Sequence, residues 1–155
     1  MDKFAAIVLS AGVGSRMKSD IPKQYMDLAG KPVIYYSLKA FEEAGFSSIV
    51  LVCGKDDIEY CQEKIVKKHK LKNVTAIVPG GKERYHSVFE GLKAVGEADY
   101  VFIHDGARPM LTQDIIDRLK ESVIKEEAAV AGMPVKDTIK IVDDEAYVTD
   151  TPERQ

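Results

Sequence analysis

The chain has 155 residues, 45% hydrophobic and 30% charged, with a formal net charge of −3. That length and composition suit one soluble globular domain with a real core and exclude a disordered chain. Weak acidity without a basic block excludes wrapping of nucleic acid, and no apolar run approaches a membrane span.

Apolar runs and helical periods alternate along the chain. Met1-Asp2-Lys3 leads without a cleavage-site pattern into an apolar strand, Phe4–Ser10. The loop after it, from Ala11 to Gln24, carries Gly12, Gly14, Arg16 and Lys23. Glycines let backbone N–H groups approach an anion, and a buried parallel strand delivers such a loop to a crevice. The spacing departs from both common phosphate loops. Met17 stands where a dinucleotide fold wants its third glycine, and Gly-Lys-Ser/Thr is absent. Pro22 fixes the backbone before Lys23 instead, which suits a lysine held in place. The plain alternative is a surface turn with solvated charges.

A helix is expected over Pro32–Ala44, with Val33, Ile34, Leu38 and Phe41 inward and Gly45 ending it. Ser48–Cys53 reads as a buried strand and Asp56–His69 as a helix with charges suited to its dipole. Val74–Val78 is a short strand, followed by Gly80-Gly81-Lys82-Glu83-Arg84-Tyr85-His86-Ser87 and a helix over Glu83–Val95, its face Val88, Leu92 and Val95. A glycine pair there admits a planar base against the backbone, and Ser87 is placed to bond a base or ribose. A βα turn with capping residues is the competing explanation. Tyr100–His104 is a strand, and His104-Asp105-Gly106-Ala107-Arg108-Pro109 follows at its carboxyl end, where ligands bind in such sheets. Asp105 suits a divalent metal or a substrate hydroxyl and Arg108 an anion. His104 reads as a hydrogen-bonded core histidine, and His69 and His86 as solvated or helix-end groups.

Thr112 caps a helix through Lys125, with Ile115, Ile116, Leu119 and Val123 inward, and Ala128–Met133 reads as a further strand. Thr138–Val142 and Ala146–Thr149, joined by Asp143-Asp144-Glu145, signal a hairpin. The alternation argues for an α/β fold with a doubly wound, mostly parallel sheet, and a β-hairpin arm projecting from it. The expected division is 1–133 for the α/β domain and 134–155 for the arm. Cys53 and Cys61 lack metal-ligand spacing and read as small core residues of a reducing cytoplasm.

Ala11-Gly-Val-Gly-Ser-Arg-Met17, Pro22-Lys-Gln-Tyr25, Gly80-Gly-Lys-Glu-Arg84 with Ser87, His104-Asp-Gly-Ala-Arg-Pro109 and Val135-Lys-Asp-Thr138 together resemble the 2-C-methyl-D-erythritol 4-phosphate cytidylyltransferases of the non-mevalonate isoprenoid pathway. The resemblance implies a Rossmann-like nucleotidyltransferase that joins CTP to 2-C-methyl-D-erythritol 4-phosphate with Mg²⁺ and releases pyrophosphate. It implies catalytic roles for Arg16, Lys23 and Arg154. It implies CTP binding by Ala11, Gly12, Gly14, Arg16, Lys23, Gly81, Ser87 and Asp105, and polyol phosphate binding by Asp105, Arg108, Thr138 and Arg154. It also implies a cytoplasmic homodimer held through the arm, with no nucleic-acid or membrane partner.

Ser10 and Lys82 are mild departures from the family pattern. The larger one is at the end, where family members continue past the arm and supply another lysine. On that ground the chain is expected to be C-terminally truncated, with little or no activity. Ribitol 5-phosphate cytidylyltransferase is the neighbouring alternative, and Ala107 favours the isoprenoid enzyme. A CTP-binding or dimerising module without catalysis is the alternative of another class, and a dinucleotide-dependent oxidoreductase fits least.

Overall fold

A computed structural model describes residues 2–12 and 21–153. Four parallel strands form the central sheet: β1 (Phe4–Ser10), β4 (Ser48–Cys53), β5 (Val74–Pro79) and β6 (Tyr100–Asp105), in the order β5-β4-β1-β6. The register runs from Ala5 opposite Ser48 to Ser10 opposite Cys53, and from Phe4 opposite Tyr100 to Leu9 opposite Asp105. β1 and β4 are central and apolar on both faces. Ala6, Val8, Ile49 and Leu51 point to one side, and Ala5, Ile7, Val50 and Val52 to the other; all eight are fully buried. A strand buried on both faces must be a continuous apolar run, which is what the sequence carries.

The first side is the larger core. α1 (Val33–Glu43) lays Ile34, Leu38 and Phe41 onto it, and α4 (Gln113–Glu126) adds Ile116. Phe41, Phe46 and Phe102 pack as neighbouring rings, edge-on at 5.0 to 6.4 Å between centroids. Thr112 caps α4 through its hydroxyl oxygen, which accepts from the Ile115 N–H, as expected of a threonine at that position.

The second side is covered by α3 (Arg84–Ala94), whose inward residues are Ser87, Gly91 and the following Val95. Leu92, expected on this face, is 45% exposed. The reason is Gly91. A Cβ there would stand 2.6 Å from Ile7 Cγ2, so the helix seats its glycine on the sheet and turns Leu92 about 100° away.

Other expectations change. The helix placed over Asp56–His69 is composite: a 3₁₀ turn (Lys55–Asp57), a short α2 (Ile58–Tyr60) and a π-helical segment (Cys61–Lys67). Apolar spacing that buries Cys61, Ile65 and Val66 serves either helix type, so periodicity alone does not separate them. The strand placed over Ala128–Met133 is absent: these residues are exposed, Val130 by 94%, and pair with no described strand. Apolar side chains do not make a strand unless a neighbour supplies the ladder. A small hairpin, β2 (Asp27–Leu28) and β3 (Lys31–Pro32), joins the first loop to α1 through Ala29 and Gly30, both with positive φ.

The second hairpin is present but shorter than its pattern. β7 (Ile141–Val142) pairs with β8 (Val148–Asp150), and the Asp143 side chain accepts from the N–H groups of Glu145 and Tyr147 to close the turn. Every described residue from Ile124 to Glu153 is exposed.

Candidate functional site

Because the four strands are parallel, their carboxyl ends reach one edge of the sheet. Backbone bonds just beyond those ends tie the loops together. The Gly80 N–H donates to Cys53 O at 2.8 Å, and the Gly106 N–H donates to Leu9 O at 2.8 Å. Gly80 is also where the β1 and β5 loops touch. A Cβ on it would stand 2.3 Å from Ala11 Cβ and 2.8 Å from Ser87 Oγ, so only glycine fits.

The β5 loop enters α3 through a reciprocal cap. The Glu83 side chain accepts from the His86 N–H, and His86 Nδ1 accepts from the Glu83 N–H at 3.3 Å. His86 therefore has the helix-end role expected from sequence. Ser87 is buried, and its Oγ accepts from the Gly81 N–H at 3.1 Å. The serine thus holds the glycine turn against the helix. Lys82, Glu83 and Arg84 remain exposed along the rim.

Across the edge, Asp105 is shared by two arginines. Arg84 donates from Nε and Nη2 to Oδ1 at 3.2 and 3.0 Å, and Arg108 donates from Nε to Oδ2 at 3.1 Å. Partial burial would raise the Asp105 pKa. The Arg84 hydrogen bonds and the two guanidinium charges outweigh it and hold the carboxyl below the ordinary aspartate value. The cluster carries one surplus positive charge and joins the β5 loop to the β6 loop. Arg84 had no role assigned from sequence; its signal was its place at the first helical position after the glycine turn. His104 lines the core beside Phe41, 5.7 Å between rings, with Nε2 3.1 Å from Arg108 O. Burial lowers its pKa, as suits the core histidine expected there.

Lys23 is exposed at the start of a 3₁₀ turn (Lys23–Tyr25). The buried Gln24 donates from Nε2 to Ser10 O at 2.8 Å and to Gly12 O at 3.2 Å. Gln24, to which sequence reasoning gave no role, clamps the lysine-bearing turn to the beginning of the β1 loop. Tyr25 is buried below it.

The structure thus brings together Ala11, Gly12, Gly81, Ser87, Asp105 and Arg108, and ties the Lys23 turn to them. Gly14, Arg16 and Arg154 lie outside the described residues. Thr138 sits on the exposed segment before β7, and no hydrogen bond links it to this cluster. A groove of about 550 Å³ lies elsewhere, beside edge strand β5, lined by Lys55, Asp56, Glu59, Glu63 and Thr75; it shares no residue with the loop cluster. Among the described residues, no three His, Cys, Asp or Glu side chains are grouped to hold a metal ion.

A family model described as 2-C-methyl-D-erythritol 4-phosphate cytidylyltransferase matches residues 4–155. A protein of that name from Lachnospira eligens is 53% identical over 151 residues, covering 97% of this chain and 66% of the relative. One from Lachnoclostridium phytofermentans is 46% identical over 154 residues, covering 99% of this chain and 66% of the relative. Among solved structures, 4-diphosphocytidyl-2C-methyl-D-erythritol synthase from Anaerococcus prevotii superposes with a TM-score of 0.83 at 30% identity, over 98% of this chain and 65% of that one. The chain therefore spans just under two thirds of the length of these relatives.

Proposed function

Because the chain belongs to the 2-C-methyl-D-erythritol 4-phosphate cytidylyltransferase family, we propose that its protein transfers a cytidylyl group from CTP to 2-C-methyl-D-erythritol 4-phosphate, and that these residues form the CTP cradle. The observation that carries the reading is the meeting of the β1, β5 and β6 loops at one sheet edge, with Gly80 against Ala11 and Ser87 and with Asp105 bridging Arg84 and Arg108. Gly80 lets the β5 turn pack directly against Ala11 and Ser87, and the exposed Gly81 beside it is proposed to receive the base. The surplus positive charge of the Asp105 cluster is proposed to meet the phosphates.

In this reaction a phosphate oxygen of the polyol phosphate attacks the α-phosphorus of CTP. A P–O bond forms on one side and breaks on the other, and pyrophosphate leaves. The nucleophile is already an anion, so no base has to remove a proton. The barrier is the approach of two anions, and cations lower it. Lys23, on the turn that Gln24 ties to the β1 loop, is proposed to supply one such charge, and Arg16 another. Arg108 and Asp105 are proposed to meet the polyol phosphate, with Thr138 and Arg154 from the arm side. A homodimer joined through the hairpin and a cytoplasmic location belong to the same proposal.

Magnesium, when bound, would offset triphosphate charge. The described side chains do not form a cage for it: the Asp105 oxygens are both engaged by guanidinium groups. Magnesium is commonly held by substrate phosphates and one or two carboxylates, so the ion is proposed to arrive on CTP.

Calorimetry with CTP, UTP, ATP and GTP in the presence of Mg²⁺ tests the cradle. CTP is expected to bind in preference to the others, and failure to bind CTP overturns the reading. Pyrophosphate release with methylerythritol phosphate, and then with ribitol 5-phosphate, tests the acceptor. Turnover with ribitol 5-phosphate alone would reassign it.

A further inference from the structure

Arg84 opens α3 directly after the cap made by Glu83 and His86, so its backbone is fixed where the β5 loop becomes helix. Asp105 is the last residue of β6, opposite Leu9 of β1 in the sheet register. A backbone turn, in which the Arg108 N–H donates to Asp105 O at 3.0 Å, carries Arg108 back beside the same carboxylate. The reaction steps proposed above give Arg84 no role of its own.

The two arginines divide the carboxylate unequally. An ionised carboxyl group has two oxygens and about four lone-pair sites. Both Arg84 bonds, from Nε at 3.2 Å and from Nη2 at 3.0 Å, go to Oδ1. Arg108 gives Oδ2 one bond, from Nε at 3.1 Å. Among the described residues, Oδ1 is therefore filled and Oδ2 keeps one site open. The Asp105 side chain is 36% exposed, so a ligand can reach that site. Arg108 spends only Nε on Asp105, and its side chain is 76% exposed, which leaves its terminal nitrogens for an anion close to Oδ2.

The outer torsion of an aspartate is broad and nearly two-fold, so a carboxylate held at one oxygen turns easily. Held at both oxygens, it presents its open site in one direction before any ligand arrives. Arginine suits this task. One guanidinium places two N–H groups on an oxygen in fixed geometry, whereas an ammonium acts as a point charge.

We propose that Arg84 is a positioning residue: by filling Oδ1 it holds Asp105 so that Oδ2 accepts a hydroxyl of the polyol phosphate while Arg108 meets the phosphate of the same molecule. Arg84 acts through Asp105 rather than on the ligand. The inference rests on the reading of Asp105 and Arg108 as the acceptor site. The competing role is a plain cation, which would serve any phosphate, with or without a hydroxyl.

The test is a pair of NMR titrations of the ¹⁵N-labelled chain at one pH and salt concentration. One ligand is 2-C-methyl-D-erythritol 4-phosphate and the other is methyl phosphate, a monoester that lacks hydroxyls beyond the phosphate. The ratio of the two Kd values isolates the hydroxyls, because a lost charge weakens both ligands alike. The wild type is expected to prefer the polyol phosphate. In Arg84→Ala that preference is expected to fall about tenfold, the scale of one hydrogen bond to a charged group. Asp105→Asn is expected to lower it by a similar factor, and the double variant to lower it no further, since the two residues act as a unit. Arg84→Lys keeps the charge and can give Oδ1 one bond, so an intermediate preference is expected; it also decides the question if Arg84→Ala does not fold. Equal weakening of both ligands in Arg84→Ala, with the preference intact, overturns the positioning role and makes Arg84 a plain cation. A wild-type chain that binds the two ligands alike, or binds neither, overturns the acceptor reading of Asp105 and takes this inference with it.

Discussion

The carboxyl edge of the sheet and the hairpin differ in how their residues are held. At the edge, the loop positions are held by packed neighbours: Gly80 by Ala11 and Ser87, Gln24 by the β1 backbone, Gly106 by Leu9 O. Along the hairpin every residue is exposed, and the two strands pair only through Ile141 to Val142 and Val148 to Asp150. A site on the edge is therefore preorganised by the fold, whereas a hairpin this short is marginal by itself in water. The exposed apolar residues on it, Ile141, Val142, Tyr147 and Val148, have the character of a surface that a partner covers. This agrees with the proposed role of the arm in dimerisation.

Substitutions of matched chemistry in the two regions should separate them. The largest effect is expected at Phe41→Ala, which removes a ring packed among Phe46, Phe102 and His104. Urea unfolding should show a loss of about 3 to 5 kcal/mol, the usual range for a buried phenylalanine. Gly80→Ala comes next. The added methyl must displace Ala11 or Ser87, at a cost of about 1 to 3 kcal/mol, and CTP binding should weaken with it. A stable Gly80→Ala protein with unchanged CTP affinity would mean that the close approach has no functional use.

Arg84→Ala should act on charge more than on stability. Asp105 loses its donors at Oδ1, and its carboxyl pKa, read by NMR titration, should rise toward the ordinary value. The sign of the pH effect follows from the depressed folded pKa. Stability from this cluster is present above the unfolded aspartate value and is lost as pH falls through the lower folded one. The loss should be small, because over a third of the Asp105 side chain meets solvent, and it should shrink in Arg84→Ala, where only Arg108 still donates to the carboxylate. The smallest effect is expected at Val148→Ala in the hairpin, within about 0.5 kcal/mol in the same urea experiment. A larger loss in the isolated monomer would show that the arm is folded onto something.

The contrast also explains what was legible in the residues. The four strands were readable because burial on both faces demands unbroken apolar runs, and the loop positions followed from parallel strands ending at one edge. Ala128–Met133 has the same apolar character, yet no described neighbour pairs with it, and pairing is not written in a single segment. Leu92 was misplaced because the period that selects Val88 and Val95 does not reveal that a glycine, Gly91, makes the contact. The π-helical turn was invisible for a related reason: Cys61 and Ile65 are buried in either helix type. At the site, the glycine pair, Ser87, Asp105 and Arg108 were legible as residue types after strands. The bonds from Arg84 to Asp105 and from Gln24 to Gly12 span 21 and 12 residues, and only the folded loops bring those partners together.

The central claim is that CTP is held by the packed edge. Amide chemical-shift changes on titrating the ¹⁵N-labelled chain with CTP and Mg²⁺ test it residue by residue. The largest changes are expected at Ala11, Gly12, Gly80, Gly81, Ser87, Asp105 and Arg108, with the amides of β7 and β8 unmoved. Changes concentrated in the hairpin, or in the groove around Glu59 and Thr75, with the edge amides unmoved, would contradict it.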